Sequence, residues 1–343
     1  MKDKKIFISD VEGPICKNDN ALEISQHFIP HGEKLFSLLS KFDDYLADIK
    51  KEPNYKAGDT LRLILPFFKA FDINNSSIET FSASNLLLVP GAQGTIKGIK
   101  KLMPLYLIST SYRPYIKALC RALDFPQERA YCTELELDRY IMSKEEKKKI
   151  KRLRKKISRM PMIEFYPQCR RDEDIAPQHL KTIDALYEIF WGIVPQLHTS
   201  YSLLKEINPV GGEEKARALE TIISRENASF FNAIYVGDSI TDIEVLKMMK
   251  ERGGLPISFN GNAYPFRFAE IAIISPNTQP LNHIAKGFLQ GGKDVVCRMV
   301  EEIDFDSEEK AMFIITEENK ASLIERSLQM RKAVRGEKIA ILG

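Results

Sequence analysis

Asp10 and Glu12 are the first residues in this chain whose types and spacing point to chemistry. The apolar run Ile6-Phe-Ile-Ser9 breaks into Asp10-Val-Glu12-Gly-Pro14. β-Branched and aromatic residues running straight into Gly-Pro predict a buried strand that ends in a turn. The strand period of two puts both acids on one side. Two carboxylates converging at a strand end are costly unless a cation or a substrate needs them; the bland alternative is a pair solvated at the turn. Asp10 is the candidate nucleophile. Two more apolar runs end in chemistry. Pro104 to Ile108 leads into Ser109-Thr110-Ser111, and Asn232 to Val236 closes into Gly237-Asp238-Ser-Ile-Thr-Asp242. Asp238 and Asp242 are four apart, close to one face of a helix's first turn, which Ser239 or Asp238 is placed to cap.

The elements that must position these residues alternate between strand and helix, as in parallel α/β winding. Helical spacing recurs in Asn20 to Ile29, Gly32 to Ile49 and Asp59 to Phe71, where Pro66 should kink or divide the helix, and more weakly in Ser76 to Leu88. Residues 15–88 therefore predict an inserted helical cap. Alternation resumes over 89–137 and again over 209–279, which with 1–14 predict the core, a Rossmann-like doubly wound parallel sheet. Residues 138–208 break the alternation and read as a second, mostly helical insertion, and 280–343 as a helical C-terminal extension. In an open parallel sheet the carboxyl ends of adjacent strands face one crevice, so Asp10, Glu12, Ser109 and Asp238 can converge although far apart in sequence.

Composition narrows the function classes. Apolar residues make up 44% and charged residues 28% of the 343, an ordinary globular balance. No apolar run approaches the roughly 18 residues of a membrane span and the start leads into a strand, so the chain reads as cytoplasmic, with no membrane insertion. The cysteines Cys16, Cys120, Cys132, Cys169 and Cys297 form no Cys-x-x-Cys, which indicates neither zinc nor a disulfide framework. Ten basic residues between Lys144 and Arg159, against Glu145 and Glu146, carry +8 of a net +3 and leave −5 elsewhere. Ile150, Leu153, Ile157 and Met160 recur there at helical spacing, so an amphipathic helix with a solvated basic face is the simpler reading, and nucleic acid is not expected. A protein partner or a second copy of the chain is the macromolecular candidate.

Asp10-Val-Glu-Gly, Ser109 after Leu-Ile, Lys215 ahead of a strand and Gly237-Asp-Ser-x-x-Asp242, in that order, resemble the four motifs of the haloacid dehalogenase superfamily. The helical insertion after the first motif and Val89-Pro-Gly at its exit look most like the phosphoserine phosphatase branch. The phosphoserine–homoserine phosphotransferase type is closer still, with Glu at the second acid and a run similar to Ser109-Thr-Ser-Tyr112. The sequence also resembles an archaeal group labelled as an energy-converting hydrogenase A subunit, but no residue here supports a hydrogenase role. The insertion 138–208 and the tail depart from the phosphatase relatives.

That resemblance implies a Mg2+-dependent phosphatase or phosphotransferase acting on a small phosphorylated metabolite through an aspartyl-phosphate on Asp10. Mg2+ would be held by Asp10, the backbone carbonyl of Glu12 and Asp238, with Asp242 behind them or on a metal water. Lys215 would balance negative charge, although Lys205 also lies upstream. Ser109 would bind a phosphoryl oxygen, and Thr110 or Ser111 could take that part. Glu12 would be the acid/base, its extra methylene relative to the usual Asp moving the carboxyl by roughly a bond length. Asp19 would face a substrate amine and Arg62 a carboxylate. The alternative function is a binding or scaffold protein on the same fold, with partner contacts through 138–208.

Overall fold

The computed structural model describes residues 4–165, 169–302 and 311–340. Seven strands form one sheet: β1 (Ile6–Asp10), β2 (Leu105–Tyr112), β3 (Ala130–Thr133), β4 (Ala233–Gly237), β5 (Leu255–Phe259), β6 (Ile271–Ile273) and β7 (Met312–Ile314). Their order is β3-β2-β1-β4-β5-β6-β7, parallel except for β7, which pairs antiparallel with β6. Register sets Asp10 against Ile108 of β2 and Ser9 against Val236 of β4. The strand-end residues at 10, 109 and 238 therefore emerge at one edge. The winding reverses at β1, the kind of switch point at which open α/β sheets bind ligands.

Period-two alternation divides the sheet's side chains between two cores. Phe7, Leu105, Leu107, Ile234 and Val236 pack with Ile96, Ile99, Leu119 and Leu281 on one face. Ile6, Ile8, Tyr106 and Tyr235 pack with Leu219, Ile222, Val245 and Leu246 on the other. Helices Ala92–Leu102, Arg113–Leu123 and Gln279–Glu301 cover the first face, and Glu213–Arg225 and Ile243–Glu251 the second. The α/β class with a doubly wound, mostly parallel sheet is as the sequence leads one to expect.

The segment after β1 is helical: Asn20–Phe28, Gly32–Asp44, Thr60–Leu63, Leu65–Ala70 and Asn75–Asn85. Pro66 falls in the first turn of Leu65–Ala70, where its missing N–H costs nothing, and the helix divides there. The two insertions share one apolar cluster. Phe42, Phe67 and Phe68 pack with Ile150, Leu153, Leu186 and Phe190, and the helices of the second insertion run Lys144–Ile157, Pro177–Tyr187 and His198–Glu206. Ile150, Leu153 and Ile157 are the buried stripe of the basic helix. Its Glu146 is buried too, accepting from Ser200 N (2.7 Å), Ser200 Oγ (2.7 Å) and Thr199 N (3.3 Å) at the start of His198–Glu206. An anionic side chain at a helix N-terminus is stabilised by the free N–H groups there, so one of the two glutamates among the ten cations is structural. Residues 166–168, inside the connector expected between Met160 and Pro177, lie outside the described residues.

The tail differs from the all-helical expectation for 280–343. Gln279–Glu301, kinked at Gly291-Gly292, and Lys320–Arg335 are helical, but Met312–Ile314 adds β7 to the sheet. Phe313, on β7, packs with Phe266, Ala272, Ile274 and Leu323, so a three-residue apolar run is enough to make an edge strand once a core face waits for it. Residues 303–310 and 341–343 lie outside the described residues. Among the described residues no helix is long and apolar enough to cross a membrane.

Candidate active site

Every acid named from the strand-end motifs meets at the carboxyl edge of β1 and β4. Asp10 ends β1 and is buried, with Oδ1 accepting from Val11 N (2.7 Å) and Oδ2 from the Lys215 ammonium (2.8 Å). Lys215 is wholly buried in the first turn of Glu213–Arg225 and bridges to Asp242 Oδ1 at the same distance, 2.8 Å. Asp242 has four protein partners. Oδ1 takes Lys215 and the Tyr235 hydroxyl (2.6 Å), and Oδ2 takes the backbone N–H of Asp238 (3.0 Å) and Ser239 (3.1 Å). These fill the carboxylate's accepting directions, so Asp242 fastens the Asp238 turn and aims Lys215. Ser239 sits at the N-cap of the short turn Ile240–Asp242.

Electrostatics follow the partners. Burial, then the neighbouring Asp242, pushes the Asp10 carboxyl well above its ordinary value, only partly offset by Lys215. Burial by itself would raise Asp242 as well; the Lys215 ammonium together with the hydrogen bonds from Lys215, Tyr235 and the Asp238 N–H outweighs it and holds Asp242 below the usual carboxylate range. Lys215 pays the same desolvation cost, but Asp10 and Asp242 overcome it and keep the ammonium charged. Glu12 is raised by burial against hydrogen bonds from Ser111 and Ser109.

Two glycines make the closeness possible. Gly13 has a φ of +100°, and a Cβ there would stand 2.2 Å from Asp238 Oδ2. A Cβ at Gly237 would meet Asp242 Cγ at 2.5 Å. Any side chain at either position would push the strand-end acids apart.

The hydroxyl run after β2 is divided in use. Ser109 Oγ donates to Glu12, 3.0 Å from Oε1 and 2.9 Å from Oε2, and accepts from Ser111 N (3.0 Å). Thr110 lines the cavity, and its hydroxyl is buried without a hydrogen-bond partner. A cavity of about 100 Å3 is walled by Asp10, Glu12, Asp19, Thr110, Asp238 and Arg331, among others. At about 30 Å3 per water that is room for roughly three waters. Asp19 is the N-cap of Asn20–Phe28, accepting from Leu22 N (3.1 Å), and burial raises its carboxyl. Arg62 does not join the group: it pairs with Asp59 (2.5 Å) and does not line the cavity.

Whether these residues suit a divalent cation can be asked of the donor set. Carboxylate oxygens of Asp10, Asp238 and Asp242 lie within 4.8 Å of one another, all buried. An all-oxygen anionic set is what hard cations such as Mg2+ take, and the orphaned Thr110 hydroxyl marks space meant to be filled. The residues fit such an ion, with Asp10 and Asp238 as its holders and Asp242 as the group that orients them.

With the fold and the site in view, known proteins can be set beside them. No family model matches the sequence, and no curated protein matches it. Solved structures do. A gene product of Archaeoglobus fulgidus, 24% identical, has a TM-score of 0.84 and covers 99% of this chain and 99% of its own. A phosphoserine phosphatase solved as a phospho-aspartyl intermediate analogue, 16% identical, has a TM-score of 0.50 over 82% of this chain and 98% of its own. This chain shares its fold with both structures. The likeness is one of fold, and the first structure extends it to the insertion and the tail.

Sequence reasoning missed two residues of this site. Arg331 and Arg335, on the helix Lys320–Arg335, both reach Asp238 Oδ2, Arg335 through Nη1 at 2.9 Å. Arg331 Nη1 also donates to the Asp238 carbonyl (3.2 Å). The available signal was the four-residue spacing of Leu323, Ser327, Arg331 and Arg335, which makes a single stripe down that helix.

Proposed function

We propose that this chain is a Mg2+-dependent phosphatase or phosphotransferase acting on a small, phosphoserine-like phosphomonoester through an aspartyl-phosphate on Asp10. The observation that carries the reading is the buried Lys215 ammonium shared by Asp10 and Asp242, with Asp10 on the wall of a small cavity. A phosphomonoester is hard to attack because nucleophile and phosphoryl oxygens repel, so the site must supply positive charge and in-line positioning. Lys215 supplies one fixed charge at the nucleophile. A divalent cation held by Asp10 and Asp238 would supply the rest at the phosphoryl oxygens.

The chain's residues then divide the work. An Asp10 oxygen forms the bond to phosphorus as the ester oxygen leaves, and Glu12, whose protonated form burial favours, gives that oxygen its proton. Water, or a second alcohol in the transferase case, then attacks the phosphorus of phospho-Asp10 while Glu12 takes the incoming proton, and the released carboxylate restores Asp10. Ser109 holds the Glu12 carboxyl in reach, and Thr110 has the hydroxyl free to receive a phosphoryl oxygen. Asp19 stands on the cavity wall where a substrate cation would meet it. Arg62 is left without a substrate role by its pairing with Asp59.

Asp10→Asn should abolish Mg2+-dependent turnover of an aryl phosphate; full activity in that variant would overturn the mechanism. A second reading, a binding or scaffold protein with weak or no catalysis, is favoured by one observation, the occupation of Asp238 by two guanidinium groups. It predicts that the unaltered chain hydrolyses aryl phosphates no faster than Asp10→Asn does, while deletion of residues 144–159 removes a protein partner.

A further inference from the structure

The C-terminal segment crosses the candidate site from core to cap. Helix Lys320–Arg335 buries only Leu323, Ser327 and Arg331 fully. Leu323 packs with Phe266 and Phe313 at the helix's start, and Ser327 Oγ donates to the Gly261 carbonyl at 2.7 Å. Farther along, Met330 still packs against that cluster, and the arginines make ionic contacts. Arg335 meets Asp238 and also donates to the carbonyls of Lys17 (3.1 Å) and Asn18 (2.8 Å). After Gly336 the chain reaches the cap, where Lys338 pairs with Glu33 (2.8 Å) and Ile339 lines the cavity. With this strap in place the cavity is about 100 Å3, well below the roughly 300 Å3 at which small-molecule pockets begin.

Resting on the reading of Asp238 as a cation ligand, we propose that the C-terminal helix is a built-in counter-ion that competes with the divalent cation for Asp238. Arg331 and Arg335 bring to its carboxylate two positive charges, the same charge the ion would bring. Asp238 Oδ2 accepts from both guanidinium groups, so an ion seated on that oxygen displaces them. Arg335 is fixed by two backbone carbonyls as well as by Asp238, so its donors are committed to holding the strap down, which suits a latch and not a substrate anchor. Loading the ion at Asp238 therefore frees the strap between core and cap and opens the cavity to a phosphomonoester. By linkage, whatever holds the strap down weakens the ion, and to the same extent.

Mn2+ serves as the probe. Calorimetric titration should show Arg335→Gln binding Mn2+ roughly 5- to 150-fold more tightly than the unaltered chain, the usual span of such couplings. Arg335→Lys should restore the weaker affinity, and Asp238→Asn should bind least. On the unaltered chain, hydrogen exchange of residues 320–335 should quicken at saturating Mn2+, and Asp238→Asn should lose that response. The exchange measurement needs no altered arginine, so it stands even if Arg331 or Arg335 variants fold poorly. Equal or weaker Mn2+ binding in Arg335→Gln, or exchange unchanged by Mn2+ that does bind through Asp238, overturns the competition and leaves the cation site standing. No Mn2+ binding in any variant overturns the cation site and the competition with it.

Discussion

Asp238 and Asp242 lie four residues apart, both buried at the end of β4, and they are neutralised in opposite ways. Asp242 is held by the core: Lys215, Tyr235 and two backbone N–H groups. Asp238 is met from outside the core, by two arginines on a helix that buries few residues. A buried charge must be paired wherever it lies, but the source of the partner decides whether the pairing can be exchanged. A lysine inside a core helix cannot leave without unfolding the site. A guanidinium on a terminal strap can.

The largest effect should come from Asp10, the proposed nucleophile. Asp10→Asn is expected to lower turnover by roughly three orders of magnitude or more, the scale on which removing a nucleophile acts, with folding judged by circular dichroism. Next come the two partners of the comparison. Lys215→Met strands two buried carboxylates and should cost about 3–5 kcal/mol in denaturant unfolding. Arg335→Gln should cost under about 1.5 kcal/mol, because the strap can lift and let water reach Asp238. Equal costs for the two would break the contrast.

Acid should sharpen it. Because Asp242 is held below its ordinary value, its contribution to stability is present above an unfolded pKa of about 4 and is lost as pH falls through the folded value. The stability gap between the unaltered chain and Asp242→Asn is therefore widest near neutrality and narrows below about pH 4. Glu12 is raised by burial, so turnover that needs its proton should fall on the alkaline side, and Glu12→Gln should lose that limb. The smallest effect on turnover is expected of Arg62→Ala, which should leave KM for an aryl phosphate unchanged because Arg62 does not line the cavity.

What could be read from the sequence was what local pattern encodes. Ile6 to Gly13 and Ala233 to Asp242 each join a β-branched or aromatic run to an acid and a glycine, so strand, turn and functional group are legible together. Lys215 was reached by its motif order. Arg331 and Arg335 gave only their four-residue spacing with Leu323 and Ser327, which on a charged helix reads as easily as a solvated face, and only the tertiary fold brings Asp238 beneath them. The same holds for the shared cluster of the two insertions, where the Phe67 and Phe190 rings meet edge to face from segments over a hundred residues apart, and for β7, whose three residues become a strand through β6. Arg62, expected to face a substrate carboxylate, instead pairs with Asp59 three residues upstream.

The most direct test of phosphoryl transfer through Asp10 is chemical trapping. The protein is mixed with Mg2+ and an aryl phosphate, quenched, reduced with borohydride, which converts an acyl phosphate to an alcohol, and digested for mass spectrometry. Homoserine at position 10, absent without substrate, is the predicted result. Turnover with an unmodified Asp10, or with the label on another acid, would contradict it.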